Sequence, residues 1–307
     1  MGLTEVLGVL GVAWLAAELR TSRPDGTHVR VAPVRRMMLA ILGSRAESVV
    51  YYDAWVEAEP LERFLASARK ACGADITHAV VAAAGIALAA TPCMNRFVSN
   101  GRMYQRNARS LTFSLKRERL RREAQLSTVK LRFEDGETFP GWCDRVNASI
   151  AEERSGRTTR ADREYAWLDQ LPGPLLRLAA RCVMALDRVG LLPGFFLEAD
   201  PLFTSIFVAN LGSIGMGAGY HHLFEYGNCP LFITVGRTEE RPATREGRVE
   251  MRAMLHLRFT YDERIEDGLN ARYGIDRIVK VLTEPERWLS GDTPMWPRPE
   301  LLAETGG

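Results

Sequence analysis

Histidine and cysteine are both scarce, five of each in 307 residues, and no two cysteines form a Cys-x-x-Cys pair. Dithiol and zinc-ribbon motifs are therefore absent, and no metal is expected. Cys72, Cys93, Cys143, Cys182 and Cys229 stand at wide, unpatterned spacings. An odd count without an export signal predicts reduced thiols in the cytoplasm, each serving as a small buried hydrophobe. Cys229 is the one position to watch for a reactive thiol. An excess of charge is lacking too: the formal net charge is +2, too little to argue for a nucleic-acid partner. The basic run Lys116–Arg122 is local, contains Glu118 and reads as a solvated surface segment.

The N-terminus lacks a spanning segment. Leu3–Leu19 is apolar but interrupted by Glu5 and Glu18, and the run between them falls far short of the ~20 residues a bilayer requires. A signal peptide's basic start and small-residue cleavage site are missing as well. Leu3, Leu7, Leu10, Trp14 and Ala17 share one side at helical spacing. The expectation is an N-terminal helix within residues 1–22, packed on the domain or on a neighbouring subunit. The absence of Lys and Arg before Arg20 weighs against a peripheral membrane anchor.

What is present is an ordinary globular composition, 46% hydrophobic and 25% charged, with alternating strand and helix patterns. Val49–Val56 is β-branched, aromatic and partly alternating, a strand. Pro60 opens a helix through Lys70, where its fixed φ is tolerated. Ile76–Ala90 is apolar on every side, a buried helix with His78 as a satisfied core polar group. Strands are predicted at 109–115 and 128–133, a turn at Asp135–Gly136 and a helix at 140–153. Residues 175–189 read as an apolar helix carrying Arg177, Arg181, Asp187 and Arg188. Strands at 205–210, 231–236 and 249–261 precede a helix at 268–282. No internal repeat or low-complexity segment interrupts this order.

Five segments in order carry a resemblance. Phe259–Gly268 contains Asp262, Arg264, Asp267 and Gly268 in the register of Asp-His-Arg-x-x-Asp-Gly, with Glu263 at the histidine position. Val208-Ala-Asn-Leu-Gly-Ser-Ile-Gly215 resembles Val-Ser-Asn-Leu-Gly-x-x-Gly. Cys229–Gly236 with Glu239–Pro242, Ile76–Leu88 with Pro92 and Asn95, and Pro33–Met38 supply the remaining three. Together they resemble the catalytic domain of the E2 acyltransferases of the 2-oxoacid dehydrogenase complexes, related to the chloramphenicol acetyltransferases. The likeness runs from about Val31 to Leu289 and is poorest over 115–199.

That resemblance implies an α/β fold: a chloramphenicol acetyltransferase-like two-layer sandwich with a mixed sheet, here with a helical insertion at about 171–199, in a trimer-forming domain spanning 23–290. The insertion reads as extra core and subunit interface, or as an apolar acyl-binding lid. Residues 291–307 form a C-terminal tail, which in the family joins trimers into cages. The resemblance also implies a coenzyme A thioester as donor. No covalent lipoyl group is expected, because the family's lipoyl domain and linkers have no counterpart in this sequence.

The family's histidine removes a proton from the acceptor thiol or hydroxyl, its serine stabilises the tetrahedral intermediate, and its Asp-Gly aspartate pairs with an early arginine. Carried over by position, these are Glu263, Ala209, and Asp267 with Arg35 or Arg36; Asn210 lies in the same motif. A glutamate ionises about two units below histidine, and losing an oxyanion donor removes roughly 10²–10³ in rate. The ordinary mechanism is therefore not expected. His221 or His222, the one histidine pair, is the replacement base to consider, and His256 precedes the motif with uncertain register. Gly212, Gly215, Gly217 and Gly219 lack the order of a phosphate loop. Two readings follow: an E2-type acyltransferase-like protein with altered or lost chemistry and an apolar acyl or lipid-like ligand, or a non-catalytic trimeric or cage-forming scaffold. A protein anchored peripherally on a membrane is the third.

Overall fold

Alternation along the strands sets the architecture. A computed structural model of the chain describes residues 2–118, 123, 126–155, 166–245, 247–298 and 300. The elements run α1 (Leu3–Leu19), β1 (Gly26–His28), α2 (Pro33–Ile41), β2 (Val49–Glu57), α3 (Ala58–Cys72), α4 (Ile76–Ala90), β3 (Arg96–Ser99), β4 (Arg102–Arg106), β5 (Ser110–Lys116), β6 (Leu126–Arg132), α5 (Phe139–Arg154), α6 (Gly173–Arg188), α7 (Gly194–Ala199), β7 (Ile206–Asn210), β8 (Leu231–Arg245), β9 (Arg248–Asp262), α8 (Gly268–Thr283) and α9 (Pro285–Trp288). Six strands form a mixed sheet in the order β2-β9-β8-β7-β5-β6. Only the β8–β7 and β7–β5 pairs are parallel. A second sheet, β1-β4-β3, is small and antiparallel.

Because successive side chains point to opposite faces of a strand, every second residue enters one core. Leu255, Leu257, Phe259 and Tyr261 of β9 line up with Leu231, Ile233 and Val235 of β8 and with Ile206 and Val208 of β7. Helices α3, α4, α5 and α8 cover this face. α4 lies at its centre, and its all-round apolar pattern corresponds to burial on nearly every side. Asp75 caps it by accepting the N–H groups of Thr77 and His78. The His78 ring lies 2.8 Å from Asp75 Oδ1 and 3.1 Å from Asn147 Oδ1, a satisfied buried polar group. The result is the two-layer α/β sandwich with a mixed sheet that the sequence implied.

One expectation, the burial of every cysteine, is corrected, and the insertion and tail gain detail. The 171–199 insertion is helical; α6 buries none of its side chains, and the insertion's buried side chains are the few beyond it, Val189, Leu192 and Leu197. Its apolar residues form a stripe, and only partly buried Val183 packs against the small cluster of Leu192, Leu197 and Phe203. The first part of the tail docks on the domain. Pro294 bridges Thr138, Met295 donates to Glu137 O, and Met295 and Trp296 are buried. Leu301 and Leu302 lie outside the described residues. The cysteines are not uniformly buried either, since Cys182 on α6 is exposed. Helix α1 forms with the expected bounds, yet Val12, Leu15 and Leu19 stand in solvent.

Candidate functional site

The motif loop leaves β9 at Asp262, whose side chain is fully buried. Arg264 folds back on it as a fork, with Nε to Oδ1 and Nη2 to Oδ2 both at 2.8 Å. The Arg264 N–H also donates to Oδ1, and its Nη1 reaches Leu42 O at 3.1 Å. A charge pair this deep is held by its geometry and its extra hydrogen bonds. Between the two, Glu263 is fixed through its backbone: its N–H donates to Ser48 O at 2.9 Å, and its carbonyl accepts from Arg35 Nη1 at 3.0 Å. Its side chain is half-buried. Burial, reinforced by the Glu263 and Asp267 charges, raises the Tyr261 phenol above its ordinary value.

Asp267 does not make the expected ion pair with Arg35 or Arg36. It is exposed and caps α8, accepting the Asn270 N–H at 3.0 Å. The neighbouring carboxylate makes the pair instead: Glu266 binds Arg96 at 2.8 Å and Arg35 at 3.7 Å. Arg36 is exposed. An N-cap aspartate must point at the first turn of its own helix, so Asp267 is directed away from α2.

Ala209 and the histidines lie elsewhere. Ala209 sits on the sheet face opposite the helices, buried in a cluster with Phe207, Leu223, Cys229 and Phe232. The chain from 219 to 222 crosses this face. Thr234 Oγ1 donates to Gly219 O at 2.7 Å, and Thr260 Oγ1 donates to His221 O at 2.8 Å. The His221 ring stacks on Phe232 at 3.8 Å, and His222 stacks behind it at 5.1 Å. Phe232 in turn stacks on Phe207 at 5.0 Å. His221 is half-buried, and this desolvation lowers its pKa, favouring the neutral ring. Its Nδ1 lies 2.7 Å from His222 O. Asn210 points to the other face, where its Nδ2 donates to Thr77 Oγ1 at 3.0 Å and its Oδ1 accepts the Ser213 N–H at 3.0 Å.

The structure thus brings His221 and Ala209 to one face and leaves Glu263 apart. Ala209 pairs with Thr234 and Thr234 with Arg258, so Glu263 lies five residues further on, just past the end of β9. At about 3.3 Å per residue and 4.8 Å per strand, the two sites within one chain are roughly 19 Å apart.

The glycines between them serve packing. A Cβ on Gly212 would lie 2.4 Å from Gly236 O, and one on Gly236 would lie 2.5 Å from Ala218 N. Gly215 takes a left-handed φ of 80°. This turn stacks backbone on backbone, which only glycine permits. Cys229 is fully buried, and burial raises its thiol to about 11, which removes it as a nucleophile.

Two features escaped the sequence reading. On the outer face of β2 and β9, Trp55 stacks on His256 at 3.9 Å. Asp53 lies 3.1 Å from His256 Nε2 and receives Arg258 Nε at 2.5 Å. The Arg258 hydrogen bond, against slight burial, holds the Asp53 carboxyl below its usual range. The β2–β9 register, Asp53 with Arg258 and Trp55 with His256, was the missing information. The second feature is a cavity of about 710 Å³ between α1, α2, the β3–β4 turn and α6, lined in part by Trp14, Arg45, Asp187 and Arg264. Arg45, whose pKa burial lowers, donates to Phe224 O and Glu225 O there. The cavity borders the motif loop through Arg264. Among the described residues, no cluster of three or more His, Cys, Asp or Glu is arranged to hold a metal.

Residues 203–290 match a family model described as 2-oxoacid dehydrogenases acyltransferase (catalytic domain). The fold is similar to that of a probable dihydrolipoamide acetyltransferase from Listeria monocytogenes, at 14% identity and a TM-score of 0.55, over 83% of this chain and 94% of that one. A truncated catalytic core of the 2-oxoacid dehydrogenase multienzyme complex from Thermoplasma acidophilum gives 16% and 0.52, over 84% and 98%. The cubic core of a pyruvate dehydrogenase multienzyme complex gives 14% and 0.50, over 85% and 94%. At such identities the likeness is one of fold. The chain is similar in fold to the 2-oxoacid dehydrogenase acyltransferase catalytic domains, and its residues 203–290 match their sequence pattern.

Proposed function

We propose that this chain is a coenzyme A-dependent, E2-type acyltransferase-like protein that no longer runs the ordinary dihydrolipoamide mechanism. One observation carries the reading: Glu263 stands at the histidine position on a loop that is otherwise rigidly built. Ser48 and Arg35 hold its backbone, and the buried Asp262–Arg264 fork flanks it. A carboxyl is a poor match for an imidazole general base, since carboxyl groups ordinarily ionise about two units below histidine. Any Ser-and-His-type site in this fold would draw its two halves from different subunits, because Glu263 and Ala209 of one chain are roughly 19 Å apart.

A specific observation favours a second reading, a non-catalytic trimeric or cage-forming scaffold. The position of the oxyanion donor is filled by Ala209 in an apolar cluster with Phe207 and Phe232. The test is calorimetric binding of coenzyme A and acetyl-CoA to wild type, Glu263→His and Glu263→Ala. Micromolar binding by wild type, without acetyl transfer to dihydrolipoamide, is the expected result. Absence of binding in all three proteins would remove the acyltransferase reading in favour of the scaffold.

A further inference from the structure

Two neighbouring helices present apolar surface to water. α1 is uncharged from Val6 to Ala17 and is tied to the body near its C-terminal end. There Asn100 Nδ2 donates to Glu18 Oε2 at 2.5 Å, and Arg102 Nη2 donates to Glu18 O at 2.7 Å. Val9, Val12, Leu15 and Leu19 are 60%, 70%, 61% and 69% exposed, and Trp14 is exposed on another side of the same helix. A helix apolar all round normally lies in an apolar medium.

Helix α6 lies beside it, joined through the 3.3 Å Arg188–Glu18 ion pair. Leu175, Leu178, Cys182 and Leu186 recur at spacings of three, four and four residues, and all are exposed. Arg177, Arg181 and Arg188 form a separate stripe along the helix. The helix's one acid, Asp187, is bound to Arg23 at 2.7 Å and Arg188 to Glu18, so Asp187 does not compensate Arg177 and Arg181. Leucines on one face with arginines on another are the pattern of a helix lying in a lipid interface and attracted to anionic headgroups. The uncharged stretch of α1 is about 18 Å long at 1.5 Å per residue, short of the ~30 Å hydrocarbon core. Among the described residues no single helix is long and apolar enough to cross a membrane.

We propose that α1 and the outward stripe of α6 together dock on an anionic lipid bilayer, lying in the interface without spanning it. Exposed Arg177 and Arg181 are the deciding feature, since they complement lipid phosphates beside the leucine stripe.

The test is flotation of the full chain with vesicles of phosphatidylcholine alone or mixed with phosphatidylglycerol. The expected result is co-flotation with the mixed vesicles, weaker on the neutral ones and reduced by salt. Leu15→Glu combined with Leu178→Glu should lower the bound fraction roughly tenfold. Arg177→Glu with Arg181→Glu should abolish the preference for anionic lipid. Val249→Glu, exposed at the β8–β9 hairpin, should bind as wild type does. All these positions are exposed, and circular dichroism melting checks that each variant remains folded. No flotation on either vesicle, or flotation indifferent to the leucine and arginine changes, would overturn the proposal. Loss of an assembly in the leucine variant without vesicle binding by wild type would also overturn it and assign the face to a second copy.

Discussion

At the level of single residues, the strongest constraint on the motif loop is the buried Asp262–Arg264 fork. Removing one partner of such a pair strands the other as an uncompensated buried charge, at a cost of about 3–5 kcal/mol. Asp262→Asn should therefore lower the urea midpoint by that equivalent with an unchanged m-value, while Asp267→Asn, at an exposed cap, should cost well under half as much. Lys130 gives a pH signature. Burial lowers its ammonium to about 8, and its amine donates only to Leu197 O and Asp200 O. The folded state thus disfavours the charged form. Between about 8 and the unfolded value near 10.4 the unfolded chain binds more protons, so this group makes stability rise with pH across that window. Lys130→Met should flatten the rise in urea-melt stability measured from pH 8 to 10. Much of this scale was legible in the sequence. The register of Asp262, Arg264, Asp267 and Gly268 located the loop and its missing histidine. The ion-pair partner was not legible, because Glu266 and Asp267 are adjacent acids and only the direction of α8 decides which one faces Arg35.

The elements themselves were largely written in their periodicity. Ile76–Ala90 forms the expected buried helix, and β2, β5, β6, β7 and β9 fall within a few residues of their predicted bounds. The small β1-β4-β3 sheet was invisible because its strands are three to five residues long and rich in polar side chains. α6 was legible as an apolar helix, but its periodicity confines the leucines to a stripe that the core of this chain does not cover. Packing between elements makes a sharp demand at Gly85 of α4. A Cβ there would lie 2.3 Å from the Phe133 ring. Ala is the better helix former by about 1 kcal/mol, yet the clash outweighs it, since overpacking a dense core costs roughly 1–3 kcal/mol. Gly85→Ala should lower the melting temperature, and Gly85→Ala with Phe133→Leu should recover part of the loss. Equal melting of the single variant and wild type would mean that α4 slides freely over β6, contrary to the dense cluster observed.

Across the whole molecule, the decisive relation is between the two ends of the sheet. The family-motif loop with Glu263 and the 208–215 motif with Ala209 lie on strands β9 and β7, offset by five residues and separated by β8. That separation follows from register and was hidden in the sequence, where both motifs simply appear in the expected order. A site that joins them therefore requires at least two chains, with the sheet face carrying His221 and Phe232 turned towards a neighbour's motif loop. The expected outcome is an assembly: sedimentation equilibrium should give a mass of three times the 34.3 kDa chain, or a multiple of that trimer. Arg258, stacked over Tyr220 at 3.6 Å and bound to Asp53, lies on the open part of the same sheet. If that surface is covered in the assembly, Arg258→Glu should reverse a charge at the contact and shift the equilibrium towards single chains without lowering the monomer's own far-ultraviolet dichroism. A wild-type protein that sediments as a single chain at micromolar concentration would rule out any site shared between subunits, leaving Glu263 and Ala209 as unconnected features of one surface.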